Sequence, residues 1–221
     1  MHKPAQQARS RLTLHRLLTA AEALLEHGGL SAATVPAIAE TAGVSVGVVY
    51  RRFPDKDALL RAVYERFFSV YGEQNRARLQ SIGMLDLPLP MVARSIIAGM
   101  TRGYRERHGL LRALIRYART HPDAEFRDAA RQMNRQTMRA VVYLLIRHRD
   151  QIAHPEPEKA IELGLLAVAA TLQNILLEED TLHAVDEPEN LDEEMVRLFF
   201  GYLGIAQRDD SEPVGASTSP L

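Results

Sequence analysis

The sequence predicts an all-α fold made of two helical domains, and three observations support this. Apolar residues recur at helical spacing through most of the 221 residues, and no strand-like alternation of apolar and polar residues stands out. Glycine and proline interrupt the apolar runs at positions where helices usually begin or end. With 46% hydrophobic and 25% charged residues, the chain can also build a sizeable core.

The first predicted helix begins its apolar spacing at Leu14 and is ended by Gly28-Gly29. Thr34 is a suitable N-cap for a short second helix, because its hydroxyl can accept a hydrogen bond from a free backbone N–H. Pro36 fits the first turn of that helix, where the N–H groups lack partners anyway. Gly43 ends it, since a tight turn needs a residue that adopts positive φ easily.

A third short helix is predicted from its cap, Ser45, to about Arg52, and Asp55 caps a long fourth helix. Two short helices joined by Ala-Gly-Val form a helix-turn-helix. Val49 and Phe53 are expected to pack inward. The stretch GMLDLPLP predicts a loop, and long helices are predicted over 91–107, 110–120, 123–149, 158–179 and 191–206.

This pattern divides the chain into a helix-turn-helix domain at 1–60, a helical domain at 61–206 and a disordered polar tail at 207–221. Cysteine is absent, which excludes disulfides and thiol nucleophiles. No Ser/His/Asp arrangement or phosphate-binding glycine loop is evident, so we expect no enzymatic activity, metal or cofactor. Without a signal peptide or a long uncharged apolar run, a cytoplasmic location away from membranes is expected.

The net charge of −1 conceals an uneven distribution of charge along the chain. Residues 1–60 carry +2, residues 61–149 carry +10 and residues 150–221 carry −13. Because binding to a polyanion depends on the local patch, a near-neutral total does not exclude a nucleic-acid partner.

The segment AGVSVGVVYRRFPDK carries the residue types that a phosphate backbone requires. Ser45 places a hydroxyl and free N–H groups at a helix start, and Gly47 permits close approach to a groove. Tyr50 can donate a hydrogen bond to a phosphate. Outward residues of the third helix would then lie near base edges in the major groove.

From Leu14 to Leu60 the sequence resembles the DNA-binding domain of the TetR (tetracycline-repressor-like) family of transcriptional regulators. The resemblance lies in LLTAAEALLEHGGLSAATV, IAETAGVSVGVVYRRF and DKDALL. It implies a homodimeric repressor that binds a palindromic operator in double-stranded DNA and releases it when a small molecule occupies the second domain. The family's DNA-contacting positions fall on Thr34, Ser45, Val46, Gly47, Val48, Tyr50, Arg51, Arg52 and Lys56.

Two of these positions, Val46 and Val48, supply no side-chain donors, so direct base recognition would rest on Arg51, on contacts with thymine methyls or on DNA shape. The resemblance also implies a four-helix dimer interface built from the last two helices. Small residues in the first of them allow close helix approach. The expected interface residues are Leu165, Val168, Ala169, Leu172, Met195, Leu198, Phe199 and Tyr202.

A pocket for the effector is expected among apolar and aromatic side chains of the middle helices. An inward-facing arginine there could hold an anionic group, so the effector is expected to be apolar or anionic. The same residues could instead form an ordinary core or a solvated face. The candidate residues are Met100, Tyr104, Arg116, Tyr117, Phe126, Met133 and Met138.

The alternative hypothesis is a DNA-binding regulator or architectural factor without a small-molecule effector, controlled by a protein partner. Its second domain would be packed solid. An enclosed cavity of roughly 300 Å³ or more would favour the ligand-responsive hypothesis.

Overall fold

The structure, a computed structural model, describes residues 3–85, 87–177 and 189–205. Within those ranges the chain forms α-helices and one 3₁₀ helix and contains no strand, which confirms the all-α fold. The predicted tail at 207–221 lies outside the described residues. The helices are α1 (Lys3–Ala32), α2 (Val35–Thr41), α3 (Val46–Tyr50), α4 (Lys56–Met84), α5 (Leu89–Glu106), α6 (His108–Thr120), α7 (Ala124–Leu145), α8 (Pro157–Leu177) and α9 (Leu191–Leu203), with the 3₁₀ helix at Ile146–Gln151.

The punctuation predicted for α1, α2 and α4 is confirmed, whereas the cap predicted at Ser45 is not, because its side chain makes no capping hydrogen bond. Helical geometry breaks at Gly29, where φ is 62°, although a last turn continues to Ala32. The Thr34 hydroxyl accepts a hydrogen bond from the backbone N–H of Ala37 at 3.3 Å, and Asp55 accepts one from Ala58 at 2.8 Å. Each capped helix therefore begins at the residue whose side chain satisfies its free N–H groups.

Three predicted boundaries beyond the helix-turn-helix are corrected. Helix α4 continues through Met84, so the loop before α5 is shorter than the predicted GMLDLPLP stretch. Helix α7 ends at Leu145, because the backbone turns into a 3₁₀ helix with non-helical φ and ψ at His148. Helix α9 ends at Leu203 rather than residue 206, since Gly204 adopts φ 67° and closes the helix in the left-handed conformation.

Buried side chains form two clusters. The first joins α1–α4 with residues of α6 and α7, including Leu110, Leu114 and Phe126. The second joins α5, the C-terminal part of α7, α8 and α9 around Phe199 and Phe200. Helix α6 therefore shares the core of the helix-turn-helix domain, although it lies far beyond residue 60 in the sequence.

By length and composition alone, α8 could cross a membrane, since its most apolar 18-residue window has a mean hydropathy of 1.8. Helices packed in a protein core pass the same test. The buried residues of α8 pack in the second cluster, and Gly164 lies so close to α9 that a Cβ there would be 2.9 Å from the Phe199 ring. Close packing against α9 accounts for the apolar residues on the buried side of α8.

Candidate nucleic-acid interface and effector cavity

The helix-turn-helix consists of α2, a turn at Gly43 with φ 63°, and α3. Val49 and Phe53 are 1% and 8% exposed and hold α3 against the core, as predicted. Val46 and Tyr50 on the outer side are 38% and 54% exposed. The side of α3 that faces solvent is thus the side that the sequence assigns to DNA.

The predicted DNA-contacting residues lie together around α3. The structure exposes Thr34, Ser45, Val46, Gly47, Tyr50 and Arg51 and leaves Val48, Arg52 and Lys56 half-buried. Ser45 precedes α3 in extended conformation, yet its hydroxyl makes no capping hydrogen bond. That hydroxyl and the first N–H groups of α3 remain available to an acceptor outside the chain.

The cations of this surface differ in their partners. Arg52 donates to the carbonyl and hydroxyl of Ser10 in α1, at 2.8 and 2.7 Å. Lys56 donates to the Leu30 carbonyl at 2.9 Å. Arg51 makes no side-chain hydrogen bond or ion pair with any residue the structure describes. Arg52 and Lys56 therefore also fasten α1 to the motif, whereas Arg51 is free to contact a ligand.

The structure adds Arg16, which the sequence analysis did not single out. Its guanidinium donates to the Gly43 carbonyl at 3.4 Å and lies where a Cβ on Gly43 would be 2.7 Å away. The contact supports the turn from α1. No local sequence pattern reveals it, because the two residues are 27 positions apart.

A cavity of about 510 Å³ lies among α4, α5, α6, α7 and α8. Four of the seven predicted ligand residues line it: Met100, Tyr104, Met133 and Met138. Tyr117 and Phe126 belong to the first core cluster instead, and Arg116 is exposed outside the cavity wall. Periodicity could not separate these groups, because several faces of the helices are apolar.

The wall also contains residues that the sequence analysis missed, among them Tyr71, Arg78 and Gln173. Gln173 donates through Nε2 to the Tyr104 hydroxyl oxygen at 3.0 Å and accepts from Arg119 at 2.6 Å. Burial raises the pKa of Tyr104 above its usual value, more than the Gln173 bond lowers it. The Tyr104 hydroxyl therefore keeps its proton at neutral pH.

Helix α6 joins the first domain at its N-terminus. The Glu26 carboxylate of α1 accepts hydrogen bonds from the backbone N–H of Gly109 and Leu110, at 3.2 and 2.9 Å. The two backbones approach so closely that a Cβ on Gly109 would lie 2.0 Å from the Glu26 carbonyl oxygen. Only glycine fits this contact between α1 and α6.

At the other end of α6, Asp57 of α4 is the centre of a hydrogen-bonded cluster. The Tyr117 hydroxyl donates to Asp57 at 2.6 Å, and Arg61 donates to it at 2.8 Å. His121 Nδ1 accepts a hydrogen bond from the backbone N–H of Asp123 at 3.1 Å. The ring hydrogen is therefore on Nε2, which donates it to Asp57 Oδ1 at 2.8 Å. Partial burial raises the pKa of Asp57, but the hydrogen bonds from Tyr117, His121 and Arg61 outweigh it and lower this pKa to about 2.

The eight predicted interface residues divide by burial. Five of them lie in the second core cluster and are at most 5% exposed: Leu165, Val168, Leu172, Met195 and Phe199. They face the chain's own interior, because α8 is apolar on more than one side. Ala169 is half-buried beside the cavity, and Leu198 and Tyr202 are each 40% exposed. Leu163 and Leu166, which were not predicted, are 52% and 57% exposed.

The structure thus joins a helix-turn-helix to a helical domain that contains a cavity of about 510 Å³. Residues 17–63 match the family model described as bacterial regulatory proteins, tetR family. This match covers the helix-turn-helix domain and agrees with the resemblance that its motifs indicated.

Solved structures share the fold over nearly the whole chain. A protein from Mesorhizobium loti assigned to the TetR family is 18% identical, covers 89% of this chain and 97% of its own, and has a TM-score of 0.67. FadR from Bacillus subtilis in complex with stearoyl-CoA is 14% identical, covers 86% of this chain and 97% of its own, and has a TM-score of 0.64. SmeT, the repressor of the Stenotrophomonas maltophilia multidrug efflux pump SmeDEF, is 20% identical, covers 94% of this chain and 96% of its own, and has a TM-score of 0.59. No curated protein matches the sequence.

Proposed function

We propose that this protein is a ligand-responsive repressor that binds a palindromic operator as a homodimer and releases it when a small molecule fills the cavity. One observation carries the proposal: α6 lines the cavity with one face and is bonded to the DNA-binding domain at both ends. A ligand that moves α6 thereby acts on the domain that carries the helix-turn-helix. The cavity of about 510 Å³ favours this function over a regulator with a solid second domain.

The DNA contacts proposed here follow the exposure of the motif. Tyr50 and the Ser45 hydroxyl can bind phosphates, which fix the orientation of α3 on the duplex. Arg51 is unpaired within the described chain and exposed, with its guanidinium near Gly47, so it is the candidate for reading a guanine edge. Arg52 and Lys56 add positive charge while they hold α1 in place.

A dimer is proposed because a motif this small needs two half-sites about 34–36 Å apart for useful specificity. The apolar stripe that α8 and α9 leave in solvent supports it. Leu163 and Leu166 lie on α8, and Leu198 and Tyr202 lie on α9, one helical turn apart in each case. The proposed interface is therefore the outer side of the same two helices whose inner sides form the core.

The coupling follows from the contacts of α6. Leu111, Ile115 and Ala118 face the cavity, while Glu26 holds one end of the helix and Asp57 holds the other. Asp57 is the second residue of α4, directly after Lys56. The position of α6 with ligand bound could favour a different spacing between the two helix-turn-helix motifs of the dimer. In that case ligand binding lowers the affinity for the operator, and operator binding lowers the affinity for the ligand by the same factor. SmeT, a repressor, and FadR, in complex with stearoyl-CoA, share the fold, which agrees with this type of function.

The test begins with an operator selected by the wild-type protein from a random duplex library. We expect Arg51→Ala to weaken binding to that duplex at least tenfold and to relax the preference at the base pair that Arg51 contacts. The matched control is Arg139→Ala, since Arg139 is exposed on α7 far along the chain from the motif. Equal affinities of the Arg51→Ala and wild-type proteins, measured by fluorescence anisotropy, would contradict the proposed DNA surface.

A further inference from the structure

We propose that the effector is an apolar molecule with a carboxylate, and that the Arg78 guanidinium and the Tyr104 hydroxyl hold this anionic group inside the cavity. The inference rests on the proposed function, because it names the ligand class of the same cavity. It goes beyond that function in assigning the anchoring residues, neither of which belongs to the DNA-binding motif.

The charge of the cavity wall is one-sided. Among the residues of the wall that the structure describes there are four arginines and no aspartate or glutamate. The rest of the wall is mainly aliphatic, aromatic and methionine side chains, for example Phe68, Ile96 and Met133. A pocket with an apolar interior and uncompensated positive charge favours an anion on an apolar body.

Three of these arginines are already engaged. Arg119 donates to Gln173 at 2.6 Å, and Arg127 donates to the Pro122 carbonyl at 2.9 Å. Arg131 forms an ion pair with Asp128 on its own helix. Their charges or donors are therefore used within the chain, and they do not require a ligand.

Arg78 differs from the other three. Its Nε atom is buried and has no hydrogen-bond partner, and its guanidinium forms no ion pair with any part of the chain that the structure describes. The group lies flat against α5, where a Cβ on Gly99 would be 2.0 Å from Nη1. Glycine at that position gives the guanidinium its room. Because Arg78 lines the cavity and its guanidinium has no acceptor in the described chain, its donors are available to an acceptor that enters the cavity.

The second anchor follows from the direction of a hydrogen-bond chain. Arginine can only donate, so the Gln173 side chain must present its oxygen to Arg119 and its NH₂ to Tyr104. The Tyr104 oxygen then accepts, and its own hydrogen must be directed elsewhere. Because Tyr104 lines the cavity and remains protonated, this hydrogen is available to a ligand oxygen. Arg78 and Tyr104 thus both offer donors to the same cavity.

The test uses decanoate as the probe and 1-decanol as its neutral match, each titrated into the full-length protein by calorimetry. We expect the wild-type protein to bind decanoate at least tenfold more tightly than decanol. Arg78→Met keeps an unbranched apolar side chain in place of the aliphatic part of arginine and removes the charge. It should weaken decanoate binding at least tenfold while changing decanol binding less than threefold. Tyr104→Phe should weaken decanoate binding several-fold.

The matched control is Arg131→Met, which removes a cavity arginine that already has a carboxylate partner and should change decanoate binding less than threefold. Arg78→Lys restores the charge without the planar fork and should recover part of the affinity, which keeps the test informative if Arg78→Met folds poorly. The proposal is overturned if the wild-type protein binds decanol as tightly as decanoate, if decanoate does not bind at 1 mM, or if Arg78→Lys and Arg78→Met both bind decanoate like the wild type.

The experiment separates this inference from the proposed function. Operator binding is measured on the same preparations, with and without decanoate. If decanoate binds through Arg78 but does not change operator affinity, the anchoring site stands and the ligand-release mechanism fails. If the operator is bound and no decanoate binds, the DNA-binding function stands and the anchoring site fails.

Discussion

The contact between α1 and α6 at Gly109 allows a quantitative prediction for the Gly109→Ala variant. The added Cβ would lie 2.0 Å from the Glu26 carbonyl oxygen and 2.9 Å from its carbon, whereas ordinary contacts begin at 3.4 Å. Both neighbouring atoms belong to the backbone, so no side chain can rotate away. The two helices must separate by about 1.4 Å, the difference between the ordinary and the forced distance to the oxygen.

Forcing such a separation in a packed interior costs about 1–3 kcal/mol. It also lengthens the bonds from Gly109 and Leu110 to the Glu26 carboxylate, which act as a helix cap worth about 1 kcal/mol. Against this, alanine is favoured over glycine in a helix by about 0.5–1 kcal/mol. We therefore expect Gly109→Ala to lower the free energy of unfolding by about 2 kcal/mol.

Urea denaturation followed by circular dichroism measures this change. The matched control is Gly72→Ala in α4, where an added Cβ meets no atom within 4 Å. That substitution should raise the free energy of unfolding by about 0.5–1 kcal/mol through helix propensity alone. If Gly109→Ala is as stable as the wild type or is stabilised like Gly72→Ala, α1 and α6 do not approach as described.

Three further predictions concern other contacts. Asp57→Asn should lower the free energy of unfolding at pH 7. The difference in this free energy from the wild type should shrink as pH falls from about 4 towards 2, because the pKa of Asp57 is about 2 in the folded state against an ordinary 3.8. A difference that stays constant over this range in urea titrations would refute the role of the ionised carboxylate. Leu198→Glu should convert a dimer into a monomer in analytical ultracentrifugation, whereas Tyr143→Glu, at a 75% exposed position on α7, should not; a dimeric Leu198→Glu protein would place the interface elsewhere. Gly164→Ala should cost about 1–3 kcal/mol in thermal or urea unfolding, because its Cβ would lie 2.9 Å from the ring of the fully buried Phe199, and an unchanged stability would contradict that packing.

Much of the N-terminal domain could be predicted because its signals are local. A cap such as Thr34 or Asp55 acts within three residues, and a turn glycine such as Gly43 acts at its own φ angle. The inward direction of Val49 follows from helical spacing alone. These effects are short-ranged, so the sequence displays them directly.

The cavity was predictable only in part, for the opposite reason. Met100 and Tyr104 were expected in its wall, but so were Tyr117 and Phe126, which pack in the first core cluster. Arg78 was not expected at all, because the position of its guanidinium depends on the absence of a side chain at Gly99 of the neighbouring helix. Apolar spacing marks the faces of a helix that are buried, but it does not say which neighbour covers each face.

The sequence by itself determined the all-α fold and the helix-turn-helix, since caps, turns and periodic spacing need only neighbours along the chain. Only the tertiary structure decided that α6 is held between Glu26 and Asp57. It also decided that, where α8 and α9 pack together, Phe199 is buried and Leu198 is exposed. These contacts join residues tens of positions apart. The packing of whole helices brings them together, and no local spacing encodes it.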